Sequence, residues 1–145
     1  MVELDIFLEN LSKSISLFKP EFTLVITFIV ALLFDLIFKK SKNISGVIAL
    51  IGFAVAGIFL LIQPGGATPM FENIIALDPF GKFFKFIILL SSFFIVIMAF
   101  FSDELYKAHE RLGEFFTLIV GMAFGMFMLI SANNLIMVYL ALETM

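Results

Sequence analysis

Long apolar runs separated by short clusters of charge or of turn-forming residues set the layout of this chain. Phe22 to Phe38, Ile44 to Ile62, Phe83 to Phe101 and Phe115 to Ser131 are each close to the roughly 20 mostly apolar residues that a helix needs to cross a bilayer. A fifth run begins at Leu135 and is cut short by the terminus. Ahead of the first run, Leu4, Phe7, Leu8, Leu11, Ile15 and Phe18 recur at helical spacing, with Glu3, Asp5, Glu9, Ser12, Lys13 and Ser16 between them. That pattern predicts an amphipathic helix. It is either an interfacial or partner-docking element or a short first helix packed on its own bundle. The second reading is favoured, because an interfacial binder usually has a polar face rich in Lys and Arg.

The connections differ in kind. Pro64, Gly65, Gly66 and Pro69 follow the second run, so the link QPGGATPMFENIIALDPFGK is expected to be long and irregular. The next link, SDELYKAHERLGE, carries Asp103, Glu104, Lys107, Glu110, Arg111 and Glu114 and reads as an aqueous loop with at most a helical turn. Ala132, Asn133 and Asn134 form a tight turn before the fifth run, and Pro20 fixes the start of the first. Small residues Ser45, Ala49, Gly52 and Ala56 make a stripe on the second run, and Gly121 and Gly125 make a GxxxG on the fourth. Such faces let lipid-embedded helices approach closely, which predicts a compact bundle or a multi-subunit assembly.

Composition agrees with this layout. The 145 residues are 62% hydrophobic and 14% charged, with a mean hydropathy of +1.16, against roughly 45–50% apolar in soluble domains. The fold expected is an all-α membrane protein, a polytopic transmembrane helix bundle of four full spans and a truncated fifth, preceded by the amphipathic helix. Residues 1–145 then form a single membrane domain. The first apolar run follows an acidic segment and lacks a small-residue cleavage pattern, unlike a signal peptide. The chain contains no Cys, so it offers no disulfide, no thiolate metal site and no iron–sulfur ligation. A net charge of −3 without an extended basic run argues against nucleic-acid binding. Lys39, Lys40, Lys42, Lys107 and Arg111 lie on one side of the predicted membrane, and Lys13, Lys19, Lys82 and Lys85 on the other. The dense group after the first span favours its side as cytoplasmic, which leaves the N-terminus outside.

Most ionisable residues have ordinary explanations. Asp35 lies four residues before Lys39, a common stabilising pair. Lys82 and Lys85 open the third span and are expected to snorkel to the headgroups as anchors. His109 is a lone loop histidine with no second His or Cys near it to make a metal site.

Glu143 is different, because it follows eight uninterrupted apolar residues, Leu135 to Leu142. A helix starting near Asn134 carries its Cα about 13–14 Å along a roughly 30 Å core. A carboxylate at that depth costs about 2.5–3.5 kcal/mol on insertion scales, so it should face a bundle interior with water or a basic partner. Burial and a neighbouring cation oppose one another in setting its charge, which is what a proton relay requires. The plainer reading is a glutamate that bonds to a neighbouring helix as a packing device.

The stretch GEFFTLIVGMAFGMFMLISANNLIMVYLALETM resembles the fourth and fifth spans of the subunit N family of NADH-quinone oxidoreductase, antiporter-like membrane subunits of respiratory complex I. Gly113, Glu114, Phe115 and Phe116 match its GE-aromatic start, Gly125 and Met126 its glycine–methionine pair, Ser131, Ala132 and Leu135 its small-residue turn, and Leu140, Leu142 and Glu143 its LxLE helix. Pro20 and Glu21 at the first span, and Asp78, Phe80 and Phe83 before the third, are also similar, so the resemblance covers about residues 20–145. Asn134 departs from the acid that the family often has there, which touches any carboxylate role at that mouth but not Glu143. The sister subunits L and M, and the related subunits of multi-component sodium/proton antiporters, more often carry an aromatic-rich run before this glutamate, whereas YLALE here favours N.

The resemblance implies that Glu143 is a proton-translocation residue, paired in the family with a lysine of a later span. It also implies about fourteen spans in the whole subunit, so the chain is expected to be an N-terminal portion of one. Function is then expected to be proton transport coupled to NADH oxidation and quinone reduction, in a bacterial plasma membrane. The chain would have no catalytic site of its own, and its partners would be other membrane subunits of the complex and the lipid bilayer. NAD, flavin, iron–sulfur clusters and quinone would reside on partner subunits. A multi-component cation/proton antiporter subunit and a structural membrane scaffold are the alternatives.

Overall fold

The computed structural model describes residues 8, 14–37, 44–64, 68–70, 75–102 and 112–145. Its elements are helices α1 (Lys19–Ile37) and α2 (Ile44–Ile62), strands β1 (Thr68–Met70) and β2 (Ile75–Leu77), and helices α3 (Pro79–Phe100), α4 (Leu112–Ser131) and α5 (Leu135–Thr144). Helices α1 to α4 have 19, 19, 22 and 20 residues with hydropathies of 2.1, 2.6, 2.5 and 1.9, long and apolar enough to cross a membrane. At roughly 1.5 Å per residue each spans a hydrocarbon core of about 30 Å. Large apolar side chains such as Ile37, Leu61, Met98 and Leu118 remain exposed on their outer faces. A water-soluble protein would bury such surface, and a membrane protein presents it to lipid.

The expected spans are present with shifted ends. The first begins at Lys19 rather than Phe22, the third at Pro79 rather than Phe83, and the fourth at Leu112 rather than Phe115. Polar groups supply the missing first turns. Pro20 needs no amide partner at a helix start. Asp78 caps α3, its Oδ1 accepting from the Gly81 amide at 3.1 Å. Asn134 caps α5 in the same way, accepting from the Ile136 amide at 3.3 Å. These side chains satisfy amides that the helix itself leaves open.

Helix α4 packs against every other described helix, and α2 lies against α1, α3 and α4. The small-residue stripe forms the seam: Ser45, Ala49, Gly52 and Ala56 are all buried on α2. Gly52 meets Thr27 of α1, where a Cβ would come within 2.7 Å of the threonine Cβ. On α4, Gly121 faces Phe28 of α1 and Gly125 faces the end of α5. The Thr27 and Thr117 hydroxyls inside the bundle bond back to their own helices, Thr27 Oγ1 to the Thr23 carbonyl at 2.7 Å and Thr117 Oγ1 to the Gly113 carbonyl at 2.9 Å. A membrane interior offers no water to satisfy them otherwise.

The α2–α3 connection is more ordered than its prolines and glycines predict. Strands β1 and β2 pair antiparallel, with Thr68 opposite Leu77 and Met70 opposite Ile75, and Ile75 bridges Ala132 in the α4–α5 turn. Ile75 and Leu77 are buried against Leu17, Phe18, Met128 and Met137, so the hairpin covers one end of the bundle. That contact holds it in place, since an isolated two-stranded hairpin is marginal. The Lys39, Lys40 and Lys42 group, the Lys107, His109 and Arg111 loop, and most of the predicted amphipathic helix lie outside the described residues.

Candidate functional site

The covered end of the bundle holds a buried ion pair. Lys85 Nζ of α3 donates to Glu21 Oε1 of α1, with side-chain exposures of 2% and 0%. The Phe127 ring of α4 lies 5.6 Å from Nζ and adds a cation–π contact. Three helices therefore meet on one lysine. Lys85 is thus not a headgroup anchor: it points into the bundle, where its charge is matched by a carboxylate. Two charges removed together from water are tolerable where each leaves the other uncompensated if lost.

The local sequence explains the geometry. Glu21 sits in the first turn of α1, where the helix dipole favours an anion. Lys85 shares its face with Gly81, Leu89, Ser92, Val96 and Ala99, the buried stripe of α3. That small and polar stripe is the signal by which the sequence marks Lys85 as inward-facing. Its place with Lys82 at the start of the span is what predicts anchoring at the headgroups instead. Lys82 is also no simple anchor, since its Nζ donates to the Gln63 carbonyl at 2.6 Å and the Leu61 carbonyl at 3.3 Å. It satisfies the carbonyls at the end of α2 while lying in the first turn of α3, where a cation alone opposes the dipole.

Glu143 lies elsewhere. Helix α5 packs on α4, buries only Ala141, and leaves Glu143 exposed. The expectation that Glu143 faces the interior is not met within this chain, because no described helix covers that side of α5. It lies eight residues past Leu135, about 12 Å along the helix axis. Asp35 packs against the Gly113 backbone of α4, where its carboxyl occupies the space a Cβ would need. Among the described residues no cluster of three metal-ligating side chains occurs.

A protein of Anaeromyxobacter sp. (strain Fw109-5) named NADH-quinone oxidoreductase subunit N is 38% identical over 138 residues, 93% of this chain and 26% of that protein. The chain is a relative of subunit N. A second subunit N, from Chloroherpeton thalassium, is 36% identical over 92% of the chain. The F(420)H(2) dehydrogenase subunit N of Methanosarcina mazei is 32% identical over 86% of it. The chain spans about a quarter of the length of these subunit N relatives. No family model matches the chain, and no solved structure gives a significant match. The subunit N resemblance read from the GEFF, GM, SA and LALE segments therefore extends over nearly the whole chain.

Proposed function

We propose that this chain is part of a proton-translocating membrane subunit of NADH-quinone oxidoreductase, with Glu143 as a proton-carrying residue. The observation that supports this most is the subunit N likeness over 93% of the chain, together with a carboxylate about 12 Å along an otherwise apolar helix. Oxidation of NADH and reduction of quinone belong, in this reading, to partner subunits, and a chain with no Cys supplies no thiolate for an iron–sulfur cluster. The contribution of this chain is electrostatic. Glu143 on the open side of α5 would meet a basic side chain from a further helix, and its charge would follow that neighbour's position.

The test is Glu143→Gln in the assembled complex, in vesicles. Glutamine keeps the hydrogen bonds but cannot ionise. Proton uptake coupled to quinone reduction should fall while the amount of assembled complex stays constant. Full pumping by that variant would overturn the role of Glu143 and leave it a packing residue.

A further inference from the structure

Among the described residues, the hairpin-covered end of the bundle contains three buried polar atoms without a hydrogen-bond partner: Glu21 Oε2, Gln63 Oε1 and Ser131 Oγ. Glu21 is fully buried, Gln63 is 6% exposed and Ser131 2%. They come from three helix ends that converge here. Gln63 Nε2 donates to the Leu17 carbonyl at 2.5 Å, one turn ahead of Glu21. Ser131 lies one turn beyond Phe127, whose ring faces Lys85. A cleft of about 520 Å³ runs between the start of α1 and the end of α2, lined by Leu17, Pro20, Phe59, Gln63 and Pro64 among others. Buried polar atoms in this number are expected to have partners, and a polar, roomy site can take them as water.

We propose that the Glu21–Lys85 pair is a proton-exchange site, supplied with water through this cleft past Gln63. Lys85 occupies Oε1 of the carboxylate and leaves Oε2 free to accept. A proton arriving from cleft water on Oε2 converts a neutral ion pair into a carboxylic acid beside an ammonium, a net gain of one positive charge. Its return to water restores the pair, so no other reactant is needed. The remaining ionisable groups at this end among the described residues are Lys19 on α1, and Asp78 and Lys82 at the start of α3. Lys82 is engaged by the α2 carbonyls and Asp78 by the Gly81 amide. Helices α2 and α4 bring only Gln63 and Ser131, which do not titrate. The proposal adds to the transport reading a second proton site, away from α5, and it rests on that reading only for its use in transport.

The experiment is infrared difference spectroscopy of the full chain in lipid nanodiscs, titrated with pH, with and without ¹³C-labelled glutamate. The expected result is a protonated-carboxyl band that responds to bulk pH, moves with the glutamate label and shifts in D₂O within minutes. Glu21→Gln should abolish that band. Glu21→Asp, which retains a carboxyl, should leave a band insensitive to the label, so the assignment survives if the glutamine variant fails to fold. Gln63→Leu should slow the deuterium shift without removing the band. A carboxyl spectrum unaffected by Glu21→Gln, or a Glu21 band that neither titrates nor exchanges, would overturn the proposal. The readout requires no pumping, so it fails or succeeds independently of Glu143.

Discussion

Breaking the Glu21–Lys85 pair should destabilise the bundle far more than removing it entirely. In Glu21→Leu, the Lys85 ammonium is left in a position where its side chain is 2% exposed, with the Phe127 ring beside it. In Lys85→Met, the Glu21 carboxylate is left at 0% exposure. Losing one partner of a buried pair costs about 3–5 kcal/mol. The Phe127 contact offsets part of this for lysine alone, by about 0.5–2 kcal/mol, so Glu21→Leu should be the milder single change. The double variant, with two apolar side chains facing one another, should lie close to wild type or above it, because neither desolvation penalty remains. The coupling energy of the cycle should therefore be about 3 kcal/mol or more, favouring the double variant over the sum of the singles. Reversible unfolding of the chain in mixed micelles, followed by far-ultraviolet circular dichroism, measures all four corners. Single variants within about 1 kcal/mol of wild type, adding without coupling in the double, would refute the reasoning and make the pair a solvated contact.

Other outcomes follow from the packing. Gly52→Val should destabilise by about 1–3 kcal/mol in the same unfolding assay, since its Cβ would enter the space of Thr27 on α1. Restoring room with Thr27→Ala in the same chain should recover part of that loss. Asp78→Ala removes the cap of α3 and should cost about 1 kcal/mol, whereas Asp78→Asn should be nearly silent because the amide oxygen still accepts from Gly81.

The four spans were legible because a helix in lipid must be apolar along its whole length, and that requirement is written residue by residue. Ile44–Ile62 agrees at both ends with the apolar run. Ends that lie in polar sequence do not show in hydropathy, which is why Lys19 and Pro79 came earlier than the runs themselves. The hairpin was missed for a related reason. Its stability comes from Ile75 and Leu77 seated on the α1 and α4 ends, contacts far apart in sequence, while its own composition reads as loop.

The sequence alone determined that this chain crosses a membrane, where its helices lie, which small residues form their seams, and that Glu143 follows eight apolar residues. Those are local properties of composition and period. Only the tertiary structure decided what the charges do. The stripe of Gly81, Leu89, Ser92, Val96 and Ala99 marks the inward side of α3, but no local pattern says which carboxylate Lys85 meets there. Glu21 and Lys85 are 64 residues apart, and their pairing depends on how α1, α3 and α4 are arranged around one another. The same arrangement leaves Glu143 on the outer side of α5, because the face a residue presents depends on which neighbours its helix has.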